Sequence, residues 1–288
     1  MSKSSATSEP LLGTLAITGV GMIGGSIAAA ARRQHVAGRI VGIGRTETRL
    51  AGAVDAGLID EGSTDVTAAA DADLAVVCTP VNRIAGDVRA LVEVMSGTSL
   101  VTDAGSTKRI LCQELADLDG VSGPAFIGSH PLAGSTRQGF EHADADLFDR
   151  KVCVVTPQPT ANPSDTARLD NFWTALGAVV IHRTPDEHDQ TLARTSHLPH
   201  LIAAVLVGSL SDKDIELSAT GLRDTTRIAS GDPALWLPIF QHNSTAIATA
   251  LARFQVRLEE FSDGLAHDDG CALQKLLEEA KRKRDGLG

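Results

Sequence analysis

Thr14-Leu15-Ala16-Ile17-Thr18-Gly19-Val20-Gly21-Met22-Ile23-Gly24-Gly25-Ser26 reads as a short β-rich run that ends in G-x-G-x-x-G and opens an Ala-rich helix over 26–33. The motif carries meaning only in that strand–turn–helix setting. There the first glycine allows a tight turn, the second lets backbone approach a pyrophosphate, and the third lets helix and strand pack closely. The N–H groups and dipole of the helix N-terminus favour the negative charge placed on them. Gly19, Gly21 and Gly24, with Met22 and Ile23 between them, are therefore expected to bind a dinucleotide.

The same stretch invites another reading. Pro10 to Ala31 carries no charge, holds Gly21-x-x-x-Gly25, and is long enough to cross a bilayer. Its glycines at 13, 19, 21, 24 and 25 are better explained by strand, turn and helix.

Outward from the motif, strands and helices alternate. Arg39–Ile43 reads as a strand, 46–56 as a helix, 73–78 as a core strand stopped by Pro80, 82–95 as a helix and 99–102 as a strand. Such a βαβα series makes a parallel sheet with helices on both faces. Two more strands follow at 152–155 and 178–181, with a helix over 164–176 between them. At Thr184-Pro185-Asp186-Glu187 a capping box with proline at the first helical position starts a helix, and only helices are expected beyond it. The reading is a Rossmann-type parallel-sheet domain, 1–184, with 1–12 a flexible tail, followed by an all-helical C-terminal domain, 185–288. Leu251, Phe254, Leu258, Phe261 and Leu265 form an apolar seam that suits either packing within that domain or a dimer contact.

Composition excludes several classes. The 288 residues are 43% hydrophobic and 22% charged, the profile of a globular chain. The 26 Lys and Arg against 36 Asp and Glu give a net charge of −10, unsuited to general binding of nucleic acid or anionic membrane. Cys78, Cys112, Cys153 and Cys271 lack metal-motif spacing and read as reduced thiols, which fits the cytoplasm.

The cofactor type is read at the end of the second strand, where NAD enzymes usually place a carboxylate about 20 residues past the glycines. Here stand Gly44-Arg45-Thr46, and Glu47 reads as a first-turn helix residue. Arg45 can fork onto a 2′-phosphate with Thr46 adding a hydroxyl, which favours NADP over NAD. Arg45 could also stack on adenine, which suits NAD.

Three further segments are dense in polar and glycine residues: Asp103-Ala104-Gly105-Ser106-Thr107-Lys108 after a strand, Gly128-Ser129-His130-Pro131-Leu132-Ala133-Gly134-Ser135 read as a loop, and Ser196-His197-Leu198-Pro199-His200 in a helix. With the glycine motif and Gly221-Leu222-Arg223-Asp224-Thr225-Thr226-Arg227, the chain resembles the prephenate/arogenate dehydrogenase family of tyrosine biosynthesis from about residue 15 to about 261. The resemblance implies oxidative decarboxylation. Hydride leaves C4 of a cyclohexadienol ring for a nicotinamide while the ring carboxylate departs as CO2. It also implies a homodimer formed through the helical domain.

By that resemblance His130 takes the proton of the C4 hydroxyl, which suits an imidazole near its working pH. Ser106 orients it, and Arg227 clamps a substrate carboxylate. His200, Ser196, His197, Ser135 and Trp236 line the substrate, while Thr79, Pro80, Asp103 and Ser106 join the cofactor site. No metal is implied. Thr136 stands where some members carry an acid, which leaves no evident partner for the ammonium of arogenate and leans toward prephenate. The chain length also leads us to expect no separate tyrosine-sensing module. Two other readings stand beside this one. A β-hydroxyacid dehydrogenase would want a lysine on the helix after the boundary, where none occurs before Lys213. A catalytically silent NADP-sensing regulator would not need His130, Ser106 and Arg227 together.

Overall fold

The computed structural model describes residues 9–118, 123–134 and 137–287. Residues 1–8 of the expected tail, and the candidate residue Ser135 with its neighbour Thr136, lie outside them. The chain forms two compact units. One holds the described residues up to Thr191 together with Ser230–Asn243, and the other holds Leu192–Ala229 and the described residues from Ser244 onward.

The first unit contains β1 (Leu12–Thr18), α1 (Met22–Arg33), β2 (Ala37–Ile43), α2 (Glu47–Asp55), β3 (Glu61–Ser63), β4 (Leu74–Val77), α3 (Val81–Val94), β5 (Leu100–Asp103), α4 (Arg109–Glu114) and β6 (Ala125–Phe126), of which β3, α4 and β6 add to the strands and helices read from the sequence. The sheet order is β3-β2-β1-β4-β5-β6, and every pairing is parallel. Strands β4 and β5 are buried along their whole length, as strands covered on both faces must be. Along β1 the two-residue period sends Leu15 and Ile17 into a core with Ile27, Phe148, Phe172 and Trp173, and Ala16 into a second core with Val77, Ile84, Leu91 and Val101. The charge-free stretch 10–31 thus divides into β1 and α1. Among the described residues no helix is long and apolar enough to cross a membrane.

The chain turns back between β1 and β4. Strand β2 follows β1 on one side, while β4 lies on the other, so the carboxyl ends of β1 and β4 flank the switch point where such sheets bind ligands.

Two expectations change here. Gly128–Pro131, read as a loop, is a strand, β7. The strands β8 (Val152–Thr156) and β9 (Val179–His182) do not extend the parallel sheet. They make a second sheet, ordered β7-β8-β9, with β7 antiparallel to β8 and β9 parallel to it. Pro131 is tolerated because β7 is an edge strand, where a missing N–H costs no ladder bond. Helix α5 (Pro163–Ala175), capped by Asn162, connects β8 to β9 and carries Trp173, whose indole N–H donates to Ser129 Oγ at 3.1 Å.

The helical start read at 184 is present. Thr184 and Glu187 bond reciprocally at the head of α6 (Pro185–Leu192). A π-helical turn, Ala193–His197, then α7 (Leu198–Gly208), α8 (Asp212–Glu216) and α9 (Thr220–Thr226) follow. Helix α10 (Pro233–His242), capped by Asp232, packs on α3 within the first unit. Helices α11 (Ser244–Ala266) and α12 (Gly270–Asp285) complete the second.

Candidate active site

The glycine turn has the geometry its residues require. Gly19 sits at φ +91°, in the region that favours glycine. A Cβ on Gly24 would stand 2.3 Å from the Gly19 carbonyl oxygen, so α1 approaches β1 only because that side chain is missing. A Cβ on Gly21 would meet nothing within 4 Å. Gly21 is the N-cap of α1 and no side chain caps that end. Open space beside uncapped backbone N–H groups, at Met22 and Ile23, fits a pyrophosphate.

Around the same switch point, Thr79 Oγ1 donates to Asp87 at 2.6 Å, and Pro80 forms the N-cap of α3. Arg45 is exposed, Thr46 is the N-cap of α2, and Glu47 lies in its first turn.

Asp103 ends β5 wholly buried. It accepts from Gly105 N at 2.8 Å and Ser129 N at 3.1 Å, and forms a buried ion pair with Lys108. Burial pushes its carboxyl up, while Lys108 and the two N–H groups work against that. These bonds hold the loop that carries half-buried Ser106 and tie it to β7, because Ser129 Oγ also donates to the Asp103 carbonyl at 2.6 Å.

Next to Ser129 stands His130, half-buried. Its Nδ1 lies 2.9 Å from Nε2 of His188, and the two rings meet edge to face. The other His188 nitrogen, Nδ1, lies 2.7 Å from Asp189 Oδ1. Asp189 also accepts from the backbone N–H of Lys108 at 2.8 Å and of Arg109 at 3.0 Å. Burial would raise the Asp189 carboxyl, but the bonds from His188, Arg109 and Lys108 outweigh it and hold the group below the usual carboxylate range. Burial also pushes the His188 imidazole down, against the pull of Asp189. At neutral pH the pair is therefore a neutral imidazole on a carboxylate. Nothing in the local sequence marks His188 and Asp189 apart from other polar residues in the first turns of α6. The only signal is their place three and four residues beyond Pro185, on a helix whose start is secure.

Trp236, on α10, packs partly buried against the core that holds Ile239, 5.6 Å from Phe240 between ring centroids. Asn243 Nδ2, at the end of α10, donates to the Asp189 carbonyl at 2.8 Å.

The second unit carries the other candidates. Ser196 and His197 lie in the π-helical turn and His200 in α7, with both histidines buried, and burial pushes the His200 imidazole down. Arg227 opens a 3-10 turn directly after α9 and is exposed. Along α11, Leu258 and Leu265 are exposed, at 57% and 69%.

Comparison with known proteins agrees with this architecture. The family model for the prephenate dehydrogenase nucleotide-binding domain matches residues 27–182, and that for the prephenate dehydrogenase dimerization domain matches residues 184–279. A prephenate dehydrogenase of Bacillus subtilis (strain 168) is 31% identical over 284 residues, covering 95% of this chain and 76% of that protein. The crystal structure of prephenate dehydrogenase from A. aeolicus with hydroxyphenyl propionate and NAD+ superposes with a TM-score of 0.88 at 30% identity, covering 96% of this chain and 98% of that one. Synechocystis arogenate dehydrogenase gives a TM-score of 0.83 at 29% identity, over 96% and 100%. With both domain families matched in order along most of its length, the chain belongs to the prephenate dehydrogenase family.

Proposed function

We propose that this chain oxidises prephenate in preference to arogenate, uses NADP in preference to NAD, and works as a cytoplasmic homodimer joined through its helical part, residues 185–288, with residues 1–184 binding the cofactor. Family membership makes it a nicotinamide-dependent dehydrogenase that carries out an oxidative decarboxylation in tyrosine biosynthesis. The bound nicotinamide supplies the hydride acceptor. The protein has three tasks: to hold the ring, to take the hydroxyl proton, and to anchor the carboxylates.

His130 is the base. As hydride leaves C4, the O–H bond of the C4 hydroxyl breaks and an N–H bond forms at His130. The C–C bond to the ring carboxylate breaks, CO2 leaves, and its electron pair completes the aromatic ring. The phenol oxygen then takes the proton back, so no net proton is released. Ser106, on the loop pinned by Asp103, orients the imidazole and the substrate oxygen. Arg227 clamps a carboxylate, a charged contact of about 1.5–3 kcal/mol, and His200, His197, Ser196, Ser135 and Trp236 line the ring.

The observation that carries this reading is the bonding of His130 to a buried neutral imidazole backed by a carboxylate, an arrangement suited to a proton acceptor. The preference for prephenate rests on Thr136 in place of an acid, and that for NADP on Arg45 and Thr46 in place of a carboxylate. The dimer is supported by the dimerization-domain match and by the exposed leucines of α11.

The test is a steady-state comparison of prephenate and arogenate, each with NADP and NAD, followed by nicotinamide absorbance. Higher kcat/KM for prephenate with NADP is expected. A tenfold preference for arogenate, or for NAD, reverses the corresponding assignment.

A further inference from the structure

The Asp189 carboxylate is surrounded by donors. Two of its partners, the backbone N–H groups of Lys108 and Arg109, can only donate. The third is His188 Nδ1, at 2.7 Å from the oxygen that also takes the Lys108 N–H. An ionised carboxylate only accepts, so His188 carries its proton on Nδ1. A neutral imidazole has one N–H, which leaves Nε2 of His188 an acceptor. The atom 2.9 Å from it is His130 Nδ1, which must therefore be the donor.

We propose that His188 and Asp189 are positioning residues that fix His130 as the Nδ1–H tautomer, so that its Nε2 is the unprotonated nitrogen that receives the substrate proton. The inference rests on His130 being the base and adds what makes it one. A neutral histidine exchanges its proton between two nitrogens, and the wrong tautomer presents a donor where an acceptor is needed. The chain of donors excludes that form, because an Nε2–H His130 would set two lone pairs against each other across 2.9 Å. Once Nε2 takes the proton, the Nδ1–H bond to His188 becomes charge-assisted, and the Asp189 carboxylate lies one ring further on.

The arrangement is held at both ends. His188 and Asp189 are each 1% exposed, and the Asp189 carbonyl takes the Asn243 amide. The Lys108 that gives its backbone N–H to Asp189 gives its ammonium to Asp103, which holds the Ser106 loop through Gly105. Base and serine are thus set by one bonded frame.

The experiment is 15N NMR of the full-length protein labelled at histidine, with His130 and His188 assigned by the signals lost in His130→Asn and His188→Gln. At neutral pH both residues are expected to carry the proton on Nδ1 alone, and Asp189→Asn is expected to introduce the Nε2–H form of His130. Steady-state kinetics complement the spectra. His188→Leu, which removes the acceptor, is expected to lower kcat by about 10²-fold or more with KM little changed, by analogy with loss of the orienting carboxylate in a catalytic triad. His188→Gln, whose amide oxygen can accept from Nδ1, is expected to recover at least about tenfold of that loss.

A wild-type His130 protonated on Nε2 overturns the proposal, as does equal impairment of the Leu and Gln variants. If His188→Leu does not fold, the wild-type spectrum decides. Loss of turnover in His130→Asn with full turnover in His188→Leu overturns the relay and leaves the base assignment standing. Full turnover in His130→Asn overturns both.

Discussion

Lys108 and Asp103 form an ion pair in which neither side chain has any exposed surface. Asp103 is the last residue of β5 and Lys108 the N-cap of α4, and the pair links this connection to β7 through Ser129. Removing one partner leaves a buried charge without compensation, which costs about 3–5 kcal/mol. Lys108→Met is expected to lower the unfolding midpoint accordingly. Because the remaining carboxyl can be neutralised, Lys108→Met with Asp103→Asn should be less damaging than Lys108→Met by itself. Thermal and urea unfolding of the two variants beside the unaltered chain checks this.

The two glycines of the turn should fail in different ways. Gly24→Ala sets a methyl against the Gly19 carbonyl oxygen, so strand and helix must separate, at about 1–3 kcal/mol. Gly21→Ala meets open space at φ −101°, which alanine accepts. It is expected to fold with little loss and, on the proposal that the open space at Gly21 takes the pyrophosphate, to raise the cofactor KM by about tenfold or more. Unfolding midpoints set beside cofactor KM separate the two effects.

His130→Asn and Arg227→Ala should divide the kinetic parameters between them. Losing the proposed base is expected to lower kcat by at least about 10²-fold, with KM nearly unchanged. Losing the guanidinium acts mainly on the substrate KM. An unchanged kcat removes His130 from the proton transfer, and an unchanged KM gives the carboxylate to another residue.

Arg45→Ala is expected to lower kcat/KM for NADP by about 10- to 10²-fold, the value of a charged hydrogen bond, and to leave NAD within about twofold. Equal losses with both cofactors would mean that Arg45 stacks on the adenine.

Acid should weaken the fold through His188 and Asp189. The buried His188 is harder to protonate in the folded chain than in the unfolded one. Its contribution is present above the ordinary imidazole value of about 6.5 and is lost as pH falls from there toward the lower folded value. Asp189, held below its ordinary value, adds a second loss once pH falls below about 4. Urea midpoints should therefore decline between about pH 7.5 and about pH 5.5, and less steeply in His188→Gln. A decline of equal slope in that variant would assign the effect to other groups.

Some of this molecule is legible residue by residue. The Gly19, Gly21 and Gly24 pattern, the Thr184–Glu187 capping box and the Asp232-Pro233 start of α10 announce themselves because their constraints are local. Each concerns a backbone angle, a bond or a close approach to a neighbour five residues away or fewer. The parallel sheet follows from alternating strands and helices, since a buried strand must be apolar throughout. The second sheet was less legible. Gly128–Pro131 looks like a loop because proline and glycine usually break strands, and only pairing with Val152–Thr156 along an edge makes it one.

What the amino-acid sequence determined by itself was the class of fold, the glycine turn between β1 and α1 and the resemblance to the family. What the tertiary structure decided was how His130 is held. His188 lies 58 positions from His130, and Asp189 lies 80 positions or more from the N–H groups that bind it. No spacing rule reaches that far. The direction of a hydrogen bond depends on which donors surround its acceptor, and that is settled only when separate strands and helices close around one buried carboxylate.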